Sequence, residues 1–134
     1  MKVLLDTGPL VALINPNEHH HQWVVEQANQ LAPPFFTCDA VLTEAHFVLG
    51  TAHNRRLLLN LLDSGRIDPS FSYREHISRV NELIRTYENV PAFFADACLV
   101  CMAEHYPDGV IFTLDSDFTI YRKRRNQRLE ILMP

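Results

Sequence analysis

No apolar run in the sequence approaches the roughly 20 residues that a membrane-spanning helix needs. The first apolar stretch, Val3-Leu4-Leu5, meets an acid at Asp6, too early for a signal peptide. Cysteine is scarce: three residues, an odd number without framework spacing, argue against a disulfide scaffold and suit a reducing compartment. A cytoplasmic protein with no membrane association is therefore expected. No Gly-rich phosphate loop, dinucleotide fingerprint or G-x-S-x-G elbow occurs among the 4 glycines. Repeats, low-complexity tracts and linkers are absent too, so residues 1–134 read as one domain with a single core.

The composition is that of a globular chain, 47% hydrophobic and 21% charged. A net charge of −4 hides an uneven distribution. "YRKRRNQR" (121–128) holds five of the twelve Lys and Arg, namely Arg122, Lys123, Arg124, Arg125 and Arg128, which leaves seven bases against sixteen acids, or −9, elsewhere. Such a run is either a solvated helix end or a phosphate-binding edge.

Strand and helix signals alternate. "KVLLD" (2–6) reads as a buried strand, Pro9 opens a short helical turn, and a longer helix is expected over 18–31 after Pro16-Asn17. "PPFFTC" (33–38) is a second strand. Asp39 is the expected N-cap of a helix that Gly50 closes, and Asn54 the opening of a leucine-rich helix ending at Ser64-Gly65. Leu57, Leu58, Leu61 and Leu62 would form its core stripe, with Leu59 left over. "RIDPSFS" (66–72) suggests a brief strand stopped by Pro69, followed by an amphipathic helix over 74–87 and an apolar one over 92–106. "GVIFTLD" (109–115) and "RLEILM" (128–133) supply the last strands. The alternation predicts an α/β fold with a mostly parallel sheet between helices, in which sites lie beyond the carboxyl ends of the strands.

Several acids stand where acids are costly. Asp96 lies within "VPAFFADACLVCMAEH" (90–105), apolar on every side, where an unpaired carboxylate must be paired, neutralised or metal-bound. Asp6 and Asp115 each follow an apolar strand, and would face one crevice if those strands are neighbours. Each also suits an ordinary strand end or N-cap, and capping is an equal reading for Asp117. Glu44 lies at the edge of a stripe formed by Val41, Leu42, Ala45, Val48 and Leu49. No Arg or Lys stands beside these acids in sequence, so a cluster of them would need a cation. Oxygen-only ligands favour Mg²⁺ or Mn²⁺ over Zn²⁺, and such a site suits phosphodiester hydrolysis.

Four segments, "VLLDTGPLVALI" (3–14), "LTEAHFVL" (42–49), "FADACLVCMAEH" (94–105) and "FTLDSDF" (112–118), resemble in order and spacing the acidic motifs of PIN domains, most closely the small VapC-like toxins. The resemblance covers nearly the whole chain. It implies a three-layer α/β/α fold with a central parallel sheet of four or five strands, and a Mg²⁺- or Mn²⁺-dependent endoribonuclease, the toxin of a toxin–antitoxin pair. Asp6 and Asp96 would be the principal metal ligands, with Glu44 and Asp115 completing the acidic quartet, Asp115 also as a ligand. Asp117, Thr7 and Thr113 would support the site. An RNA substrate, a cognate antitoxin and a homodimer are the implied partners, with Arg122, Lys123, Arg124 and Arg125 as candidate RNA contacts. Gly8-Pro9 departs from the Ser and aliphatic residue common in that family. Two rival readings remain: a catalytically silent PIN-fold binding module, and an aspartyl-phosphate phosphatase, which normally needs a second Asp where Gly8 stands.

Two further signals invite other chemistry. His19, His20 and His21 are consecutive, without a third spaced ligand or a Cys, so a solvated helix start is the simpler account than zinc. Cys98-Leu99-Val100-Cys101 has redox-motif spacing but lies mid-helix among apolar residues, where buried thiols are plain small hydrophobes.

Overall fold

The computed structural model describes residues 1–90 and 93–134. Its elements run β1 (Lys2–Leu5), α1 (Thr7–Ile14), α2 (His21–Gln30), β2 (Phe35–Cys38), α3 (Asp39–Leu49), α4 (Ala52–Asp63), β3 (Ile67–Phe71), α5 (Ile77–Thr86), α6 (Phe94–His105), β4 (Gly109–Phe112), β5 (Arg122–Lys123), β6 (Gln127–Arg128) and β7 (Ile131–Leu132). Short 3-10 turns occupy Tyr73–Glu75, Ser116–Thr119 and Arg124–Asn126.

Five parallel strands form the central sheet in the order β3-β2-β1-β4-β7, and β5 with β6 makes a separate antiparallel hairpin. The chain steps outward from β1 through β2 to β3, then returns to β4 on the other side of β1. Right-handed crossovers put the helices of these two legs on opposite faces, giving the three-layer α/β/α arrangement. α1 packs against α2 and α3, while α6 lies on β1, β2 and β4 with α5 against it. The central strands are buried on both faces, as parallel strands are: Leu4, Leu5, Ile111 and Phe112 are fully enclosed. Trp23 and Phe35 meet Phe112 edge-on, with ring centres 5.8 and 6.4 Å away.

Polar contacts inside the fold help to fix its geometry. Thr37 donates to the Leu5 carbonyl at 2.8 Å, locking the end of β1 immediately before Asp6. Arg79 on α5 grips Glu104 on α6 through two bonds, of 2.8 and 2.7 Å, and Glu104 also accepts from the Arg124 backbone N–H. Burial pushes the Glu104 carboxyl up, but these donors outweigh it and hold it below its usual range. Glu104→Ala would strip the Arg79 side chain, 13% exposed, of two of its three carboxylate bonds and leave only the one to exposed Glu82. An expected loss of about 3–5 kcal/mol, read by urea unfolding, follows from breaking a buried pair; a loss under about 1 kcal/mol, the exposed-pair value, would show this pair to be idle.

Several expectations shift on contact with the fold. Helix α3 is capped by Cys38, with Asp39 its first residue, while Gly50 ends it at φ +72° as expected. Thr51, whose hydroxyl accepts from the Asn54 N–H, opens α4 in place of Asn54 itself. Pro69 lies inside β3 and does not stop it; β3 is a sheet edge, where a missing N–H costs no ladder bond. Of the leucines on α4 only Leu58 is fully buried, whereas Leu57 and Leu59 are exposed; Val48 on α3 is exposed too. A helical stripe shows which residues share a face, not how far the neighbouring layer extends over it. The predicted start of the apolar helix at Ala92 lies outside the described residues; its described part is α6.

The expected strand over 109–115 pairs only through Phe112, and that over 128–133 divides between β6 and β7. The predicted helix 18–31 begins at His21, whose Nδ1 donates to the Ala12 carbonyl at 2.6 Å. Cys98 and Cys101 are buried, with burial pushing the Cys101 thiol up to about 11, in keeping with an inert packing role. Among the described residues no helix is long and apolar enough to cross a membrane.

Candidate active site

β1 and β4 are hydrogen-bonded neighbours with Leu5 opposite Phe112, so their carboxyl ends open side by side where the chain reverses its direction across the sheet. Asp6 leaves β1 as the N-cap of α1, and Asp115 follows β4 as the N-cap of the turn Ser116–Thr119. Asp96 enters from α6, in its first turn, and Glu44 from α3. These four acids line one cleft of about 310 Å³, together with Thr7, Glu18 and Phe93. A larger groove of about 740 Å³, lined by Leu13, Ile14, Leu31, Phe35 and Leu61 among others, is mostly apolar and contains no acid. The clustered carboxylates are thus confined to the smaller cleft.

Asp6 is held from both sides. Its Oδ1 accepts from the Thr7 N–H at 2.8 Å and its Oδ2 from the Thr113 hydroxyl at 2.7 Å. The same Thr113 oxygen accepts from the Asp115 N–H at 2.9 Å, so one buried hydroxyl ties the two strand-end acids together. Burial nonetheless raises the Asp6 carboxyl to about 6, opposed by those two donors and aided by the charges of Asp115 and Glu44. Asp96 accepts from the Tyr121 hydroxyl at 2.9 Å. Burial first, then the charges of Asp6 and Asp115, carry its carboxyl to about 7 against that bond and one from the Phe93 backbone. Tyr121 is enclosed as well, and burial beside Asp96 pushes its phenol up.

An oxygen-only donor set whose members repel one another suits a hard divalent cation. Thr7 adds to the fit: its hydroxyl is buried at the cleft with no hydrogen-bond partner. Among the described residues, no three acids or other ligating side chains converge tightly enough to enclose an ion by themselves. An ion here would thus draw the carboxylates in or complete its shell with water, as Mg²⁺ commonly does.

Of the supporting residues, Thr7 and Thr113 join the site. Asp117 does not line the cleft; its N–H donates to Asp115 Oδ1 at 2.9 Å, so Asp115 caps this turn and Asp117 does not. Nor do the four basic residues reach it: Arg122, Lys123, Arg124 and Arg125 line a separate cleft of about 490 Å³ with Arg79 and Tyr87. Arg122 Nη1 is engaged at home, donating to the carbonyls of Thr119, Ile120 and Tyr121 at 2.7, 2.9 and 3.0 Å. Gly8 suits its place, since a Cβ there would come within 3.3 Å of Leu114. Pro9 sits in the first turn of α1, where no helical N–H bond is lost.

Sequence reasoning missed Tyr121 and Phe93. The tyrosine lies 25 residues beyond Asp96, and no local pattern marks their contact. Phe93 stands three residues before Asp96, and an aromatic ring 64% exposed at the mouth of an acidic cleft is its signal.

A parallel α/β/α sandwich with carboxylates gathered at its strand reversal has a nuclease-type layout. A family model described as "PIN domain" matches residues 3–124, and the chain belongs to the PIN domain family. Comparison with curated proteins yields no match.

Proposed function

We propose that the protein is a metal-dependent endoribonuclease that hydrolyses RNA phosphodiester bonds, acting as a VapC-like toxin of a toxin–antitoxin pair. The observation that carries this reading is the meeting of Asp6, Glu44, Asp96 and Asp115 in one cleft, with Asp6 and Asp96 both held as reluctant anions. When bound, a Mg²⁺ or Mn²⁺ ion would supply counter-charge for the acids and Lewis-acid activation of a phosphate and of water. Asp6 and Asp96 would hold that ion. Asp115 and Glu44 would complete its surroundings, and a carboxylate of this set takes the proton from the attacking water. Phe93 offers a face for a base of a single strand, and Lys123, Arg124 and Arg125 attract the phosphates at a distance. The exposed Phe47, Val48, Leu57 and Leu59 supply apolar surface for the antitoxin or a homodimer to cover.

Tyr121 is a positioning residue in this scheme, since it acts through Asp96. Tyr121→Phe removes a hydrogen bond that lowers the Asp96 pKa, so the acid limb of the pH–rate profile should move to higher pH. Metal affinity should fall about 10–100-fold; an unmoved acid limb would reduce Tyr121 to packing.

The binding-module reading draws on the absence, among the described residues, of three converged ligands. The phosphatase reading needs an acid at position 8, where Gly8 faces Leu114. Cleavage of a labelled RNA in H₂¹⁸O separates the three. Label in the new terminal phosphate supports hydrolysis by water. Intact RNA with every metal tried favours the binding module, and release of phosphate from monoesters alone favours the phosphatase.

A further inference from the structure

Away from the acidic cleft, two histidines close the junction of α5 and α6. His76 is the residue from which α5 starts, and His105 is the last of α6. Their Nε2 atoms stand 3.1 Å apart, and their ring planes are at 89°. Each ring is anchored on its other side. His76 Nδ1 donates to the Ser72 carbonyl at 2.9 Å, and His105 Nδ1 to the Cys101 carbonyl at 3.0 Å. Phe71 stacks on His76, with ring centres 4.9 Å apart, and holds it in plane.

These contacts determine what the facing nitrogens present. A carbonyl oxygen only accepts, so both Nδ1 atoms carry the hydrogen and, in neutral rings, both Nε2 atoms carry lone pairs. Two lone pairs at 3.1 Å repel unless a cation lies between them. The ring centres are 4.5 Å apart, closer than a collinear N–H···N bond would put them, so the rings do not point straight at each other. An imidazole whose second nitrogen donates to a backbone carbonyl is the usual form of a metal-ligating histidine. Imidazole selects Zn²⁺, Cu²⁺ or Ni²⁺, not the hard cation that the acidic cleft suits.

We propose that His76 and His105 are a two-histidine site for a borderline transition-metal ion, Zn²⁺ by preference, which clasps the start of α5 to the end of α6. Among the described residues no third ligating side chain joins them, so water fills the remaining positions and the ion exchanges readily. His105 closes the helix whose first turn carries Asp96, so the clasp sits at the opposite end of α6 from the acidic cleft. Leu83 on α5, Tyr87 just after it and Asp96 on α6 line a small gap closed by Tyr121.

The test is Zn²⁺ titration by calorimetry of the full chain without a polyhistidine tag, with Mg²⁺ saturating the acidic cleft. Wild type should take up one Zn²⁺ per chain and melt at a higher temperature with it. His105→Gln, at an exposed position, and His76→Gln should each weaken uptake by at least about tenfold. A His19→Ala/His20→Ala variant should keep it. Unchanged Zn²⁺ affinity in His105→Gln, loss of uptake only in the His19/His20 variant, or no uptake by wild type would each overturn the proposal. If His76→Gln does not fold, His105→Gln alone decides. The nuclease reading is untouched by any of these results, since none measures RNA cleavage.

Discussion

Asp96→Asn is expected to lower metal-dependent RNA cleavage by about a thousandfold or more, which is about 4 kcal/mol of transition-state stabilisation. The amide keeps the size of the carboxylate and can still accept from Tyr121, so packing around α6 should survive. What disappears is a negative charge that the fold holds at a cost. In the absence of metal the variant should therefore be no less stable than wild type, and at neutral pH more stable. Cleavage and urea unfolding measured on the same preparation separate the two effects. Cleavage within about tenfold of wild type would remove Asp96 from the machinery. A large loss of stability would mean that the activity reading reports misfolding instead.

The second large effect is a pH dependence of stability that a divalent cation should erase. Asp6 is raised to about 6 and Asp96 to about 7, against 3.8 in an unfolded chain. The native state thus binds these protons more tightly than the unfolded state, and stability falls as pH rises from about 4 through 7. Above about pH 8 both groups are ionised and the whole penalty is present. The two charges also raise each other, so the total is a few kcal/mol and less than two independent shifts would sum to. Without metal, wild type should melt at a lower temperature at about pH 8 than at about pH 5.5, and Asp6→Asn or Asp96→Asn should flatten this difference. Mg²⁺ at about 100 times its Kd should restore about 2.7 kcal/mol at the higher pH and much less at the lower one, where protons compete for the ligands. A profile equally steep in both variants would place its origin elsewhere.

Much of this site was legible because acids stood where apolar patterning forbids them. Asp6 and Asp115 end runs of buried strand residues, and the parallel α/β pattern predicts that such ends share one edge. Asp96 was conspicuous by its apolar flanks. Glu44 was weaker: its helix shows a stripe but not which face meets the cleft, and Val48 proved exposed beside it. The Tyr121–Asp96 bond was illegible, because it depends on how the 3-10 turn after β4 brings a distant residue back under α6. Strand β3 running through Pro69 was misread for a similar reason. Whether a proline breaks a strand depends on edge position, which is settled by the order of all five strands. The basic run formed a hairpin, with Arg125 and Asn126 in left-handed conformations that no charge pattern announces.

In the proposed activity four carboxylates work through a divalent ion on RNA. The most direct test of that activity is cleavage of an end-labelled single-stranded RNA by the metal-stripped full chain in EDTA, then with Mg²⁺ and with Mn²⁺ restored. Intact RNA is expected in EDTA, internal cleavage on adding either ion, and none from Asp6→Asn. Cleavage that persists in EDTA, or that Asp6→Asn retains, would contradict it.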